Sequence, residues 1–214
     1  MTENYGKRIA VFGGSFSSVP ESECAKDIWR KHLNCDITTY GIGGMGFSNK
    51  QTPEDNIQVQ VDRAIADGGY DIYILWASNN DVFNLHPVGT YRDYTSLDDF
   101  NKDKLVTQCG GINYCIKTIF EFNPLSKIMF FTTMSSDCAG DYSNNPFCKG
   151  GAYEYVKGQI DCCKYWGVPC LNQFELLPIN AYTKKAFVLE DGVHLSEACY
   201  TYMGNLQARF IANH

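Results

Sequence analysis

The sequence predicts an α/β protein, a three-layer α/β/α sandwich around a five-stranded parallel sheet, in one domain over residues 1–214. Three observations carry this. Short apolar runs rich in β-formers alternate with longer amphipathic stretches, the pattern of strands joined by covering helices. The run DIYILWA at 71–77 is almost continuously apolar, as a parallel strand buried on both faces is. The chain's 214 residues, 44% hydrophobic and 20% charged, supply one full core with little left for a second domain.

The elements follow in order. A first strand at about 8–12 ends in the Gly-Gly of VFGGSFS, and a helix follows at about 21–33 with Pro20 near its start. The second strand, about 36–40, runs into the glycine-rich GIGGMG. Pro53 opens a helix over about 54–66, which Gly68-Gly69 stops. The third strand is 71–77, and a long loop from 80 to about 97 carries Phe83, His86, Tyr91 and Tyr94. A third helix is expected over about 97–122, interrupted near Gly110-Gly111. The fourth strand is KIMFFT at 127–132, then a polar loop, then a helix over about 152–166. A short strand at about 169–172 leads through a loop containing Asp191 to a last helix over about 196–212. The sequence contains no internal repeat, low-complexity tract or linker.

Composition excludes several classes. A net charge of −6 argues against a nucleic-acid binder, which needs a basic face. No apolar run approaches the roughly 18 residues of a membrane span, and the start, MTENYGKR, lacks a signal-peptide core, so the expected location is cytoplasmic. The ten cysteines contain no CxxC, and the adjacent Cys162-Cys163 suits neither a zinc knuckle nor an ordinary bridge. Residues such as Cys115 in INYCIKTIF sit inside apolar patterns, where a thiol behaves as a small hydrophobe. Reduced thiols and no metal site are the expectation, with one exception: a disulfide between Cys138 and Cys148 could close the loop CAGDYSNNPFC.

In an open parallel sheet, ligands bind beyond the carboxyl ends of the strands. Ser15 follows strand one, Gly43-Gly44 follow strand two, Asn79-Asn80-Asp81 follow strand three, and Asp191 and His194 follow strand five. These segments are expected to meet at one rim. Of the four histidines, His32 lies in a polar helix stretch, His214 ends the chain and His86 precedes Pro87. Only His194 follows a strand with an acid three residues before it, in DGVHLS, where a carboxylate can hold the Nδ1–H and stabilise the imidazolium. The plainer alternative is that Asp191 only starts a turn with Gly192, and His194 opens the last helix. Ser15 has its own alternative, a phosphate-cradling turn, but GxGxxG and GxxxxGK[ST] are both absent. Ser17 stands where GxSxG would need its last glycine, which argues against an α/β-hydrolase. Taken singly, Asn80 reads as a turn former and Gly44 as a source of positive φ.

Taken in order, however, the segments resemble the four blocks of the SGNH (GDSL-type) hydrolase family, from FGGSFS at residue 12 to DGVHLS at residue 191. FGGSFS is similar to the GDS block, which implies Ser15 as nucleophile. GIGGMG is similar to the glycine block, which implies Gly44 as backbone oxyanion donor, with Gly43 the alternative. WASNND is similar to the GxND block, which implies Asn80 as side-chain oxyanion donor, with Asn79 the shifted alternative. DGVH matches the DxxH block, which implies Asp191 and His194 as the rest of a triad. Two residues depart from the pattern: Gly14 replaces the acid of GDS and Ser78 the glycine of GxND. The resemblance implies a flavodoxin-like sheet of order 2-1-3-4-5 and hydrolysis of carboxylic esters, often acyl groups on carbohydrates or lipids, without metal or cofactor. Phe83, Tyr91 and Tyr94 are candidates for a substrate wall. With no hydrophobic lid helix evident, a short acyl group such as acetyl on a glycan is the expected substrate. The alternatives are a lipid or lysophospholipid esterase, an O-acyltransferase and, remotely, a non-catalytic binding module.

Overall fold

The computed structural model describes residues 3–50, 52–134, 151–180 and 182–214. Five strands, β1 (Arg8–Gly13), β2 (Asp36–Thr39), β3 (Ile72–Trp76), β4 (Lys127–Phe131) and β5 (Cys170–Leu171), form one sheet in the order β2-β1-β3-β4-β5. Every pairing is parallel. The register sets Gly13 level with Trp76, and Trp76 level with Phe131, so three strands end along one line. That line is the rim from which the candidate segments depart.

The helices are α1 (Ser15–Ser18), α2 (Glu23–Leu33), α3 (Ile57–Ala66), α4 (Asn80–Phe83), α5 (Gln108–Phe122), α6 (Gly151–Trp166), α7 (Gln173–Leu176), α8 (Lys184–Phe187) and α9 (Glu197–Asn213). Strand alternation distributes β1 between two cores. Ile9 and Val11 face α2 and α9 with Trp29, Leu33, Tyr200 and Met203, while Ala10 and Phe12 face α3, α5 and α6 with Val61, Ile112 and Cys162. All five residues of β3 are buried, because both faces are covered. On the first face Trp29 meets Trp76 and Phe131 at ring separations of 5.8 Å each. Burying a large apolar side chain of this kind contributes about 1.5–3 kcal/mol.

Several boundaries differ from expectation for identifiable reasons. The helix expected over 97–122 is divided at Thr107, not near Gly110-Gly111: a 3-10 turn spans Lys102–Val106, and Thr107 caps α5 by accepting the Gly110 N–H at 2.9 Å. The two glycines lie inside α5 and serve close approach, since a Cβ would strike the Lys104 carbonyl at Gly110 and the Phe47 carbonyl at Gly111. The helix expected from residue 54 begins at Ile57, where Asn56 accepts the Val59 N–H at 3.2 Å, leaving Pro53 in the preceding turn. Pro20 starts a separate 3-10 turn before α2, and the loop expected from residue 80 opens with α4.

Eight of the cysteines fall within the described residues and none of them is joined in a disulfide; six are buried and two half-buried. Burial raises the thiols of Cys115, Cys162 and Cys163 well above the usual range and that of Cys35 to about 11. Cys138 and Cys148 lie outside the described residues. Among the described residues no helix is long and apolar enough to cross a membrane.

Candidate active site

At the end of β1 the backbone is gripped from the side. Gly13 donates its N–H to Gln60 Oε1 at 2.9 Å, and Gln60 Nε2 donates to the Gly13 carbonyl at 3.0 Å. Gln60 is fully buried on α3. Residue 13 must be glycine, because a Cβ there would lie 2.5 Å from the Trp76 carbonyl and 2.7 Å from Ser17 Oγ. The chain then turns so that Ser15 begins α1, and the Gly14 carbonyl accepts the Ser17 N–H, Ser17 Oγ and Ser18 Oγ at 3.1, 3.0 and 3.2 Å.

After β2 the glycine loop docks on the same strand end, with the Ile42 N–H donating to the Gly13 carbonyl at 3.1 Å. Gly43 and Gly44 are exposed, and Gly44 has φ +83° with open space where a Cβ would point. Asp81 secures the far side of this loop: its carboxylate accepts the Phe47 N–H at 2.8 Å and the Ser48 N–H at 3.0 Å. His86 Nδ1 lies 3.0 Å from the same group, and both side chains are buried, at 3% and 1% exposure. His86, which the sequence offers only as a loop residue before proline, is the buried partner of Asp81. Gly46 lets Asp81 in, since a Cβ at Gly46 would stand 2.5 Å from its Oδ1.

After β3 the two candidate asparagines diverge. Asn79 Oδ1 accepts a hydrogen bond from Thr133 Oγ1, beyond the end of β4. Asn80 Nδ2 instead donates to the Met45 carbonyl in the glycine loop at 3.0 Å and to Ser78 Oγ at 2.9 Å. Asn80 is thus the one that faces Gly14 and the glycine loop.

The last segment is a tight turn. Leu189 donates its N–H to the His194 carbonyl at 2.8 Å, with Gly192 at φ +71° between them. Asp191 Oδ1 accepts the Val193 and His194 N–H groups at 2.9 Å each, while Oδ2 lies 2.6 Å from His194 Nδ1. Against the burial that would raise it, the hydrogen bonds from the His194 ring and from these two backbone N–H groups hold the Asp191 carboxyl down to about 2. Asp191 therefore both starts a turn and holds an imidazole. His194 precedes α9, which Ser196 caps by accepting the Cys199 N–H at 3.3 Å. Phe16, next to Ser15, packs edge-on against the His194 ring at 6.4 Å, and Tyr200 of α9 fixes that contact by donating to the Phe16 carbonyl at 3.0 Å.

The three aromatic candidates separate. Tyr94 is 7% exposed and packs against Phe100 of its own loop and Tyr114 of α5. Phe83 and Tyr91 are each 40% exposed. Tyr91 stacks obliquely on Tyr165 of α6 at 6.0 Å, lining a shallow groove with Asp161 and Lys164. Among the described residues no group of three or more His, Cys, Asp or Glu side chains is placed to hold a metal ion.

No known family profile matches the chain, and no curated protein matches its sequence. Solved structures do match. A candidate GDSL-like lipase from Bacteroides ovatus superposes with a TM-score of 0.70 at 15% identity, over 98% of this chain and 99% of its own. A lipase/acylhydrolase from Enterococcus faecalis matches with a TM-score of 0.62 at 17% identity, over 97% and 96%. An acetyl xylan esterase matches with a TM-score of 0.63 at 16% identity, over 94% and 97%. At such identities the likeness establishes the fold, and the chain has the SGNH-hydrolase fold with its flavodoxin-like strand order.

Proposed function

We propose that the protein is a serine esterase that hydrolyses carboxylic esters through an acyl-enzyme. The observation that carries this reading is the His194–Asp191 pair, bonded at 2.6 Å in a turn whose imidazole packs against Phe16, the residue after Ser15. In this reading Ser15 Oγ attacks the ester carbonyl, His194 takes its proton and returns it to the leaving alcohol, and Asp191 orients the ring and stabilises the imidazolium. Water then attacks the acyl-enzyme with His194 as base. The developing oxyanion is met by the Ser15 and Gly44 N–H groups and the Asn80 amide, donors that each contribute about 3–4 kcal/mol because they act on charge present only in the transition state.

The substrate we favour is a short acyl ester, such as acetyl, on a carbohydrate. Its support is the exposed Tyr91, which with the half-buried Tyr165 offers aromatic surface to a sugar ring, and the acetyl xylan esterase among proteins of the same fold. A fluorophosphonate probe is expected to label Ser15 and no other serine, and Ser15→Ala is expected to abolish hydrolysis of 4-nitrophenyl acetate while leaving the thermal transition in place. Wild-type turnover in Ser15→Ala would overturn the assignment. Rates that climb steadily from acetyl to long-chain 4-nitrophenyl esters would overturn the acetyl preference.

A further inference from the structure

The two residues that depart from the SGNH pattern, Gly14 and Ser78, meet in space. A Cβ built on Gly14 would stand 2.5 Å from Asn80 Nδ2, 2.7 Å from Ser78 Oγ and 2.7 Å from the Met45 carbonyl. Real Cβ atoms do not approach so closely, so any side chain at residue 14 would evict its neighbours. The space is occupied by the Ser78 hydroxyl, on a side chain only 2% exposed. That hydroxyl has a donor on one side and an acceptor on the other: it accepts from Asn80 Nδ2 at 2.9 Å and donates to the Met45 carbonyl at 2.9 Å.

The Met45 carbonyl therefore has two donors, Ser78 Oγ and Asn80 Nδ2 at 3.0 Å. The arrangement has a consequence for a group that must give up one N–H to an oxyanion. When Asn80 turns one N–H away from Met45, the carbonyl keeps the Ser78 hydroxyl and is not left bare, which spares the penalty of an unpaired buried acceptor. The other Asn80 N–H keeps Ser78 Oγ as its acceptor, so the amide pivots about that bond and does not swing free.

We infer that Ser78 is a positioning residue for Asn80, admitted by the absence of a side chain at Gly14, so that residues 14 and 78 work as a coupled pair. The inference rests on the oxyanion role proposed for Asn80, and its test separates the two.

Turnover of 4-nitrophenyl acetate is measured for Ser78→Ala, Asn80→Ala, the double variant and Gly14→Ala, with thermal melting as a check on folding. Ser78→Ala is expected to lower kcat roughly 10- to 100-fold with KM within about twofold, the size of effect expected when a catalytic donor is mis-aimed. On the Asn80→Ala background the same change is expected to cost less than about twofold, because a residue acting through Asn80 has nothing left to act on. Gly14→Ala, whose Cβ would crowd both Asn80 Nδ2 and Ser78 Oγ, is expected to lose kcat to a similar extent and also without additivity. A Ser78→Ala enzyme that melts lower but keeps its kcat, or losses at 78 and 80 that multiply, overturns the positioning role and leaves the esterase reading standing. An Asn80→Ala enzyme with wild-type kcat overturns the oxyanion role itself, and the inference with it. If Ser78→Ala does not fold, Ser78→Cys, which keeps the bulk but weakens both hydrogen bonds, and its combination with Asn80→Ala decide by the same criteria.

Discussion

Gln60 joins two elements through one side chain, satisfying both backbone groups of Gly13 two residues before Ser15. Gln60→Leu keeps the bulk and strips both bonds, leaving a buried N–H without its acceptor. A loss of about 1–3 kcal/mol is expected in denaturant titration, together with a fall in kcat. The residue was hard to read from sequence because a glutamine among Ile57, Val61 and Ala64 looks like an interruption of an apolar face; only the location of Gly13 explains it. The placement of Ser15 and Asn80 just beyond β1 and β3, and of Asp191 and His194 shortly before the last helix, was legible from the strand and helix pattern. The pairing of His86 with Asp81 is not legible in the sequence, since a buried hydrogen bond between α4 and the loop after it leaves no periodic signature. At Asp191 the pH dependence has a definite sign. Its carboxyl is held at about 2, below the ordinary value of 3.8, so the hydrogen bonds to it stabilise the fold above about pH 4 and are lost as pH falls towards 2. The melting temperature of Asp191→Asn is therefore expected to lie below wild type at pH 6 and to converge with it near pH 2.

Among the elements, strands were legible to within about a residue, because two-sided burial writes itself as continuous apolar sequence. Helix starts were less so, since capping is decided by side-chain geometry and not by periodicity. Asn56→Ala removes the acceptor of the Val59 N–H and is expected to lower stability by about 1 kcal/mol, measured by thermal or chemical unfolding. Thr107 has a larger part: besides capping α5 it donates to Asp93 at 2.9 Å, in the loop after β3. The glycines at 110 and 111 lie within α5 and do not break it; in a sequence, a glycine signals a break and a close approach equally well. Only the nearby Lys104 and Phe47 carbonyls distinguish the two.

For the whole molecule, the parallel sheet divides labour between its faces and its rim. The faces are sealed by two apolar cores, and the rim gathers the candidate segments. The cysteines belong to the faces. In the folded protein Cys24 and Cys170, the two half-buried thiols, are expected to be the ones among the described eight that iodoacetamide modifies, with the other six reacting only after denaturation; peptide mass mapping reads this directly.

The doubly satisfied backbone of Gly13 has one more consequence, in the language of hydrogen exchange. Its amide hydrogen is held by the side chain of a fully buried glutamine on α3, and Gly13 is itself buried. Its exchange rate should therefore report the opening of the molecule as a whole, not the breathing of a loop. The slowest clock in the protein would then tick two residues from its proposed nucleophile.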